Sequence, residues 1–177
     1  MKTKNLISAS LLAALAVVLT RFFGFSLGTI RISLGTIPIM LSGIIVGPLY
    51  GLATGAVADL VGYLINPMGG AYFPGFTLTA ALVGFLPGLI LKVFKQNEKP
   101  SLPTLAIAIA ITEILCHIFL NTVWVSMITG KAYLALLPSR VISRVVHYPL
   151  ITGAIYFLLK NGLVPFSDES ASAKERV

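Results

Sequence analysis

Long apolar runs separated by short polar stretches constrain this chain more than any other feature. The first five such runs lie at 6–23, 37–46, 49–65, 76–94 and 104–128. The sixth follows a loop at 129–138 and ends near residue 159. A helix needs about 20 apolar residues to cross a membrane, and only the second run falls well short of that length. The pattern predicts an all-α integral membrane protein with six transmembrane helices.

The composition agrees with this fold class. Apolar residues make up 56% of the sequence and charged residues 11%, whereas a soluble domain carries about 25% charged residues. We expect residues 1–166 to form one transmembrane domain and residues 167–177 to form a polar, disordered cytoplasmic tail. No stretch is long enough for a separate soluble domain, so an ATP-hydrolysing module would have to be another chain.

The N-terminal segment has two interpretations. Residues 1–16 show the basic start, apolar core and small-residue cleavage site of a signal peptide. The apolar run continues to residue 23, so we expect it to remain as the first membrane helix. The only cysteine, Cys116, excludes an intrachain disulfide and is expected to serve packing.

A glycine- and aromatic-rich stretch at 69–77 separates the third and fourth runs. Its glycines, Gly70 among them, permit a close approach of the backbone to a ligand, and flanking prolines keep the stretch from being helical. Tyr72, Phe73 and Phe76 supply flat apolar faces within five positions. The stretch therefore predicts one wall of a pocket for a flat molecule. The alternative is an aromatic belt at the membrane interface.

Polar side chains recur at helical spacing inside two apolar runs. In the fifth run they are Glu113, His117, Asn121 and Trp124, and in the sixth they are Arg140, Arg144 and His147. Spacings of three and four residues place each set on one helix face. Asp59 is a lone carboxylate in the third run, where a charge is costly and has either a partner or a function. A structural alternative pairs Glu113 or Asp59 with Arg140 or Arg144 inside the bundle and gives His147 a packing role.

Between the first two runs the helical period gives way to alternation. Ile30, Ile32 and Leu34 alternate with polar residues, which is typical of a strand. Arg31 is therefore predicted to project from a short extended segment, and the alternative places it in the lipid headgroup region.

The distribution of lysine and arginine predicts the orientation of the chain. Most basic residues flank one side of the membrane, so that side is predicted to be cytoplasmic, with both termini inside a bacterial cell. The others lie at the outer side: Arg21, Arg31, Lys131, Arg140 and Arg144. Positive charge there opposes the topology rule, and an anionic ligand that arrives from outside would account for it.

The first run carries Ala9 and Ala13, four residues apart. Small residues at this spacing let two membrane helices approach closely. The spacing fits contact with a partner helix or internal packing, and on spacing alone internal packing is the better interpretation.

These features together resemble the substrate-binding S component of energy-coupling factor (ECF) vitamin transporters. The resemblance spans about residues 5–160 and rests on the six short runs, the alanine pattern and the segments from 31–33 through 69–77. Segments 121–124 and 131–140 point to the folate-specific branch. The resemblance implies a fold whose outer loops cap a ligand pocket, and it implies a membrane coupling subunit and two cytoplasmic ATPases as partners. It also implies that Ala9 and Ala13 are docking positions.

The candidate residues suit the chemistry of folate. The flat pterin ring can stack on aromatic side chains, and its adjacent N–H donors suit Glu113 with Asn121 beside it. The dicarboxylate tail suits the bidentate donors of Arg31 and Arg144. Because burying charge is costly, we expect the ring to lie deep and the tail near the outer surface. The complete candidate set is Arg31, Gly70, Tyr72, Phe73, Phe76, Glu113, Asn121, Trp124, Arg140 and Arg144.

Other classes of function find little support. The sequence has no His-Glu-x-x-His, no phosphate-binding glycine loop and only two histidines. We therefore expect no enzyme activity, catalytic residue, metal site or cofactor, and no nucleic acid partner. A self-sufficient carrier would show inverted repeats or broken helices, and none is convincing. The closer alternative is an S component for another anionic vitamin.

Overall fold

The computed structural model describes residues 2–22, 25–27, 30–67, 71–96 and 100–162. The elements in chain order are α1 (Lys2–Arg21), β1 (Phe25–Leu27), β2 (Ile30–Ile32), α2 (Thr36–Leu41) with a π-helical continuation (Ser42–Val46), α3 (Pro48–Ile65), α4 (Pro74–Val93), α5 (Leu102–Thr112), a second π-helical segment (Glu113–Leu120), α6 (Asn121–Thr129) and α7 (Tyr133–Lys160). Strands β1 and β2 pair in an antiparallel ladder, which confirms the extended segment predicted around Arg31.

Five helices are long and apolar enough to cross a membrane. They are Thr3–Arg21, Pro48–Ile65, Pro74–Val93, Leu102–Thr129 and Tyr133–Lys160, and the shorter apolar helix Thr36–Val46 is the sixth. Each predicted run corresponds to one of these helices, so the predicted six-helix membrane fold is confirmed. The proposed tail at 167–177 lies outside the described residues.

The last helix begins earlier than predicted. The sequence suggested a loop up to Pro138, but α7 begins at Tyr133 and contains Pro138. Gly130 ends α6 in the left-handed conformation, with φ 67°, so a turn of three residues is long enough to reverse the chain. Proline is tolerated inside membrane helices because neighbouring groups satisfy the freed backbone carbonyls.

Glycines let three segments approach at backbone distance. A Cβ on Gly84 of α4 would collide with the carbonyl oxygen of Gly51 in α3, and a Cβ on Gly88 would collide with that of Gly43 in the first π-helical segment. Gly55 meets the carbonyl of Ala80 in the same way. Without side chains at these positions, α3 and α4 make the most extensive helix contact in the described bundle, and this rigid pair forms one side of the cavity described below.

The π-helical segment Glu113–Leu120 changes which residues face inward. A π-helix bonds i to i+5 and so contains more residues per turn than an α-helix. At its passage into α6, His117, Asn121 and Val125 line the cavity, whereas Glu113 and Trp124 are absent from the described lining. Glu113 Oε1 still lies 3.8 Å from His117 Nε2, so these two residues share a face as predicted, but of the four predicted polar residues only His117 and Asn121 reach the cavity.

Candidate functional site

A cavity of about 480 Å³ opens among the helix ends on the side where α1 ends and α7 begins. Ligand-binding pockets commonly measure about 300–1,000 Å³. The cavity is lined by residues of α1, α2, α3, α4, α6 and α7, of the second π-helical segment and of the connecting stretches around Ser33, Pro67 and Ala71.

Aromatic side chains form one wall of this cavity. Tyr72, Phe73 and Phe76, predicted from the loop, all line it, and Tyr63 of α3 joins them. The ring centroids of Tyr63 and Tyr72 are 5.2 Å apart, and those of Phe73 and Phe76 are 5.8 Å apart in an edge-on arrangement. Such spacings are typical of favourable aromatic pairs. Gly70, predicted in the same loop, lies outside the described residues.

Trp124 supports this wall from behind. Its ring centroid lies 5.7 Å from that of Phe73, and its Nε1–H donates to the hydroxyl of Thr79 at 3.0 Å. Trp124 is absent from the described residues that line the cavity. The indole therefore lies next to the predicted aromatic cluster and is hydrogen-bonded to Thr79, and it is not part of the described lining of the cavity.

Asp59 contributes a carboxylate to the same wall. Thr77 donates a hydrogen bond to Asp59 Oδ2 at 2.7 Å, and the hydroxyls of Tyr72 and Thr77 are 2.8 Å apart. A threonine hydroxyl has one proton to donate, so Tyr72 must donate to Thr77. This chain of hydrogen bonds orients the carboxylate and fixes Tyr72. The sequence marked Asp59 as unusual, but did not place it among the binding residues.

Arg21 is a second lining residue that the candidate set missed. Its Nη1 donates to the carbonyl of Asn66 at 2.8 Å, and its Nε is buried without a hydrogen-bond partner among the described residues. The side chain lies over Gly62, where a Cβ would come within 2.7 Å of Nε. The spacing of Gly62 with the other α3 glycines was the only signal of this contact in the sequence.

The opposite wall is cationic. Arg140 and Arg144 of α7 both line the cavity, and the backbone of α7 does not come close to that of α3 among the described residues. Arg144 Nη1 donates to Glu113 Oε2 at 3.1 Å, and it lies 3.2 Å from His147 Nδ1. Arg140 makes no hydrogen bond or ion pair with any described residue. The structural alternative that paired Glu113 with Arg144 is therefore confirmed.

Two neutral polar residues complete the cationic wall. Asn121 and His117 both line the cavity. Both ring nitrogens of His117 are buried without a hydrogen-bond partner in the described part of the chain. His147 lines the cavity too, and its Nε2 contacts the carbonyl of Ser33 at 2.9 Å; the packing role expected for it remains a prediction.

The described side chains around the cavity give it an excess of positive charge. Arg140 and Arg144 line the wall opposite Asp59, whereas Arg21 lies over Gly62 on the same side as Asp59. Glu113 is paired with Arg144, so the five side chains comprise three cations and two carboxylates. One positive charge therefore remains in excess. A ligand with an acidic group at one end would balance it.

Three further predicted residues are not among the described residues that line the cavity. Arg31 pairs with Ser26 through the strand backbone, and its side chain lies outside the described part of the structure. Ala9 and Ala13 are each 6% exposed, and α1 packs against α3, where the Thr54 hydroxyl reaches the carbonyl of Ala9 at 3.4 Å. Their burial favours internal packing, and the docking role remains a prediction.

Comparisons with known proteins agree on one family. Residues 4–165 match the family model described as ECF transporter, substrate-specific component. The chain is 36% identical over 155 residues to the folate transporter FolT of Clostridium novyi (strain NT), covering 88% of this chain and 87% of that protein. It is 29% identical over 170 residues to FolT of Leuconostoc mesenteroides subsp. mesenteroides, covering 92% and 88%.

Solved structures give the same result for the fold. A crystal structure of FolT bound with folic acid superimposes with a TM-score of 0.76 at 34% identity, covering 90% of this chain and 94% of that one. An S component of a bacterial ECF transporter superimposes with a TM-score of 0.67 at 24% identity, covering 92% and 99%. The second match supports the fold alone.

Proposed function

This chain belongs to the family of substrate-specific components of ECF transporters, and from that premise we propose that it is a folate-binding subunit for vitamin uptake. It is a multi-pass membrane protein and not an enzyme. The single observation that carries the choice of ligand is the polarity of the cavity: a carboxylate among aromatic rings on one wall faces two arginines on the other. Folate has the matching polarity, with a flat donor-bearing ring at one end and carboxylates at the other.

The ring end fits the wall formed by α3 and α4. Tyr72, Phe73 and Phe76 offer faces and edges on which a pterin can stack, for about 0.5–1.5 kcal/mol beyond burial. Asp59 is oriented by Thr77 at 2.7 Å, and a carboxylate has about four lone-pair sites, so it can still accept the adjacent N–H donors of the ring. We assign to Asp59 the role that the sequence suggested for Glu113.

The acidic end fits the α7 wall. Arg140 makes no hydrogen bond or ion pair within the described chain, and a guanidinium can bind a carboxylate through two parallel hydrogen bonds. Arg144 lies one helical turn further along α7 and lines the same wall, so a dicarboxylate can contact both. Asn121 lies near enough to this wall to orient the linking portion of the ligand.

The partners are proposed from the family. We infer that a membrane coupling subunit and two cytoplasmic ATPases drive uptake, and that both termini of this chain face the cytoplasm. Basic residues at that side, including Lys4, Lys92 and Lys160 at helix ends, support the orientation by the positive-inside rule. Docking through the first helix at Ala9 and Ala13 stays part of the proposal, although both side chains are buried in the described structure.

Titration calorimetry on the purified protein tests the binding function. We expect saturable, one-to-one binding of folate without any other subunit, because the described cavity is formed by this chain alone. Riboflavin is the control, since it is flat but carries no carboxylate for the arginine wall. Well-folded protein that ignores folate, or that binds riboflavin equally well, would overturn the assignment.

A further inference from the structure

We propose that Glu113 is an internal counter-ion that sets the preference of the cavity for acidic ligands, by compensating part of the positive charge that Arg144 presents to the ligand's carboxylate. The inference rests on the folate-binding function proposed above and adds a residue that controls selectivity without touching the ligand. It replaces the direct contact with the pterin ring that the sequence suggested for Glu113.

The relative positions of the two charges support this role. Arg144 lines the cavity, whereas Glu113 is absent from the described lining and is 3% exposed. Glu113 Oε2 and Arg144 Nη1 are 3.1 Å apart. The carboxylate therefore lies behind the guanidinium as seen from the cavity, where it lowers the positive potential that a ligand meets without contacting the ligand.

A second contact fixes which atoms of Arg144 remain for a ligand. His147 Nε2 lies 2.9 Å from the carbonyl of Ser33, and because a carbonyl only accepts, Nε2 must donate. Nδ1 of the neutral ring is then an acceptor for Arg144 Nη1, 3.2 Å away. Nη1 is thus occupied by Glu113 and His147, while Nη2 and Nε of Arg144 bond no described residue. Those two nitrogens form the edge that binds carboxylates in a bidentate way.

Stability alone is a weak reason for this ion pair. Glu113 Oε1 is buried with no hydrogen-bond partner among the described residues, and His117 Nε2 lies 3.8 Å from it, which is too far for a hydrogen bond. Burying a half-satisfied carboxylate is unfavourable, and replacing buried ion pairs with apolar residues is often neutral or stabilising. A role in lowering the positive charge of the cavity accounts for a carboxylate of which only one oxygen accepts a hydrogen bond.

The physical consequence is a wall with two unequal cations. Arg140 has no anionic partner in the described chain, whereas the charge of Arg144 is already compensated by Glu113. In a site shielded from water this compensation acts strongly, because charges interact more strongly at low dielectric constant. Removing the charge of Glu113 while keeping its shape should therefore strengthen the binding of carboxylates and leave the ring end unaffected.

The test compares folate with pterin, which is the ring without the acidic tail. The measured quantity is the ratio of the pterin Kd to the folate Kd for the purified protein. Glu113→Gln keeps a side-chain oxygen that can accept from Arg144 but removes the charge. We expect the ratio to rise about tenfold, which corresponds to about 1.4 kcal/mol. The double variant Glu113→Gln with Arg144→Met should lose the gain completely, since the effect acts through that guanidinium.

Two controls separate tuning from structural damage. Glu113→Asp keeps the charge and should leave the ratio within about twofold of wild type, and Glu113→Met removes the charge without an acceptor in case Glu113→Gln does not fold. An unchanged ratio in the charge-removing variants, or a gain that survives the loss of Arg144, overturns the inference while folate binding by the wild type still supports the proposed function. A wild-type protein that binds no folate overturns both.

Discussion

Acidic residues within membrane helices receive different surroundings in this protein. Asp59 faces the cavity and accepts a hydrogen bond from Thr77, whereas Glu113 is held behind Arg144. A charge inside a membrane protein is costly unless it has a partner or faces water. The two residues meet this requirement in opposite ways, and only Asp59 keeps an accessible edge for a ligand.

At the same scale, Phe73 and Trp124 should differ in their effect on binding. Phe73→Ala removes a ring from the cavity wall and should weaken folate binding by roughly tenfold, because aromatic pairs contribute about 0.5–1.5 kcal/mol beyond burial. Trp124→Phe keeps a ring behind Phe73 and removes only the hydrogen bond to Thr79, so binding should stay within about threefold. Titration of both variants measures this. A larger loss for Trp124→Phe would place the indole in the pocket.

The sequence predicted which residue types form the site better than it predicted the directions in which their side chains point. The sequence identified Tyr72, Phe73 and Phe76 as a pocket wall, and the structure brings all three to the cavity. It could not show that Asp59 rather than Glu113 faces the open space. That difference depends on tertiary packing, since Glu113 is paired with Arg144 of another helix, and the spacing of polar side chains along one helix does not show which neighbour will pair with a carboxylate.

At the scale of elements, the crossing of α3 and α4 depends on glycine. Gly84→Ala places a methyl group against the carbonyl of Gly51, and overpacking of this kind costs roughly 1–3 kcal/mol. We expect a lower melting temperature in detergent. Gly153→Ala in α7 is the matched control, because a Cβ there meets nothing within 4 Å and alanine is the better helix former. Equal effects of the two substitutions would contradict the described crossing.

The first helix offers a comparison between packing and docking. Ala9→Trp with Ala13→Trp should lower both the melting temperature and folate binding, because both methyl groups are buried against neighbouring helices. Ser10→Trp with Ala14→Trp is the matched control on the exposed face of α1. Folate titration and uptake with the partner subunits present distinguish the two roles. A loss of uptake greater than the loss of folate binding in the Ala9 and Ala13 variant would support docking as well as packing, whereas uptake that falls only in proportion to binding would leave packing as the sole role.

The lengths of the apolar runs predicted the helix boundaries more reliably than the positions of prolines did. Each apolar run of the sequence became a helix, because a chain in lipid must satisfy its backbone hydrogen bonds internally. Pro138 was taken as the end of a loop, yet it lies inside α7. The close approach of α3 to α4 was foreseeable from Gly51 and Gly55 on one helix face, but the identity of the partner helix was not, since spacing carries no information about neighbours.

At the scale of the whole molecule, the arrangement of walls determines what the protein can bind. The aromatic and acidic wall comes from α3, α4 and the stretch between them, and the cationic wall comes from α7. The backbones of α3 and α4 do not come close to that of α7 in the described structure, so a ligand would span the space between them. Under the proposed orientation, the positive charge of the α7 wall opposes the usual topology rule, and binding of an anionic ligand would account for it.

We propose that folate lies across this cavity with its ring on Asp59 and its tail on Arg140. The most direct measurement is calorimetric titration of Asp59→Asn and Arg140→Gln, each with folate and with pterin. Loss of a charged hydrogen-bond partner costs about 1.5–3 kcal/mol, so Asp59→Asn should weaken folate and pterin alike, by at least about tenfold. Arg140→Gln should weaken folate and spare pterin. Pterin binding that depends on Arg140 and is indifferent to Asp59 would contradict this orientation of the ligand.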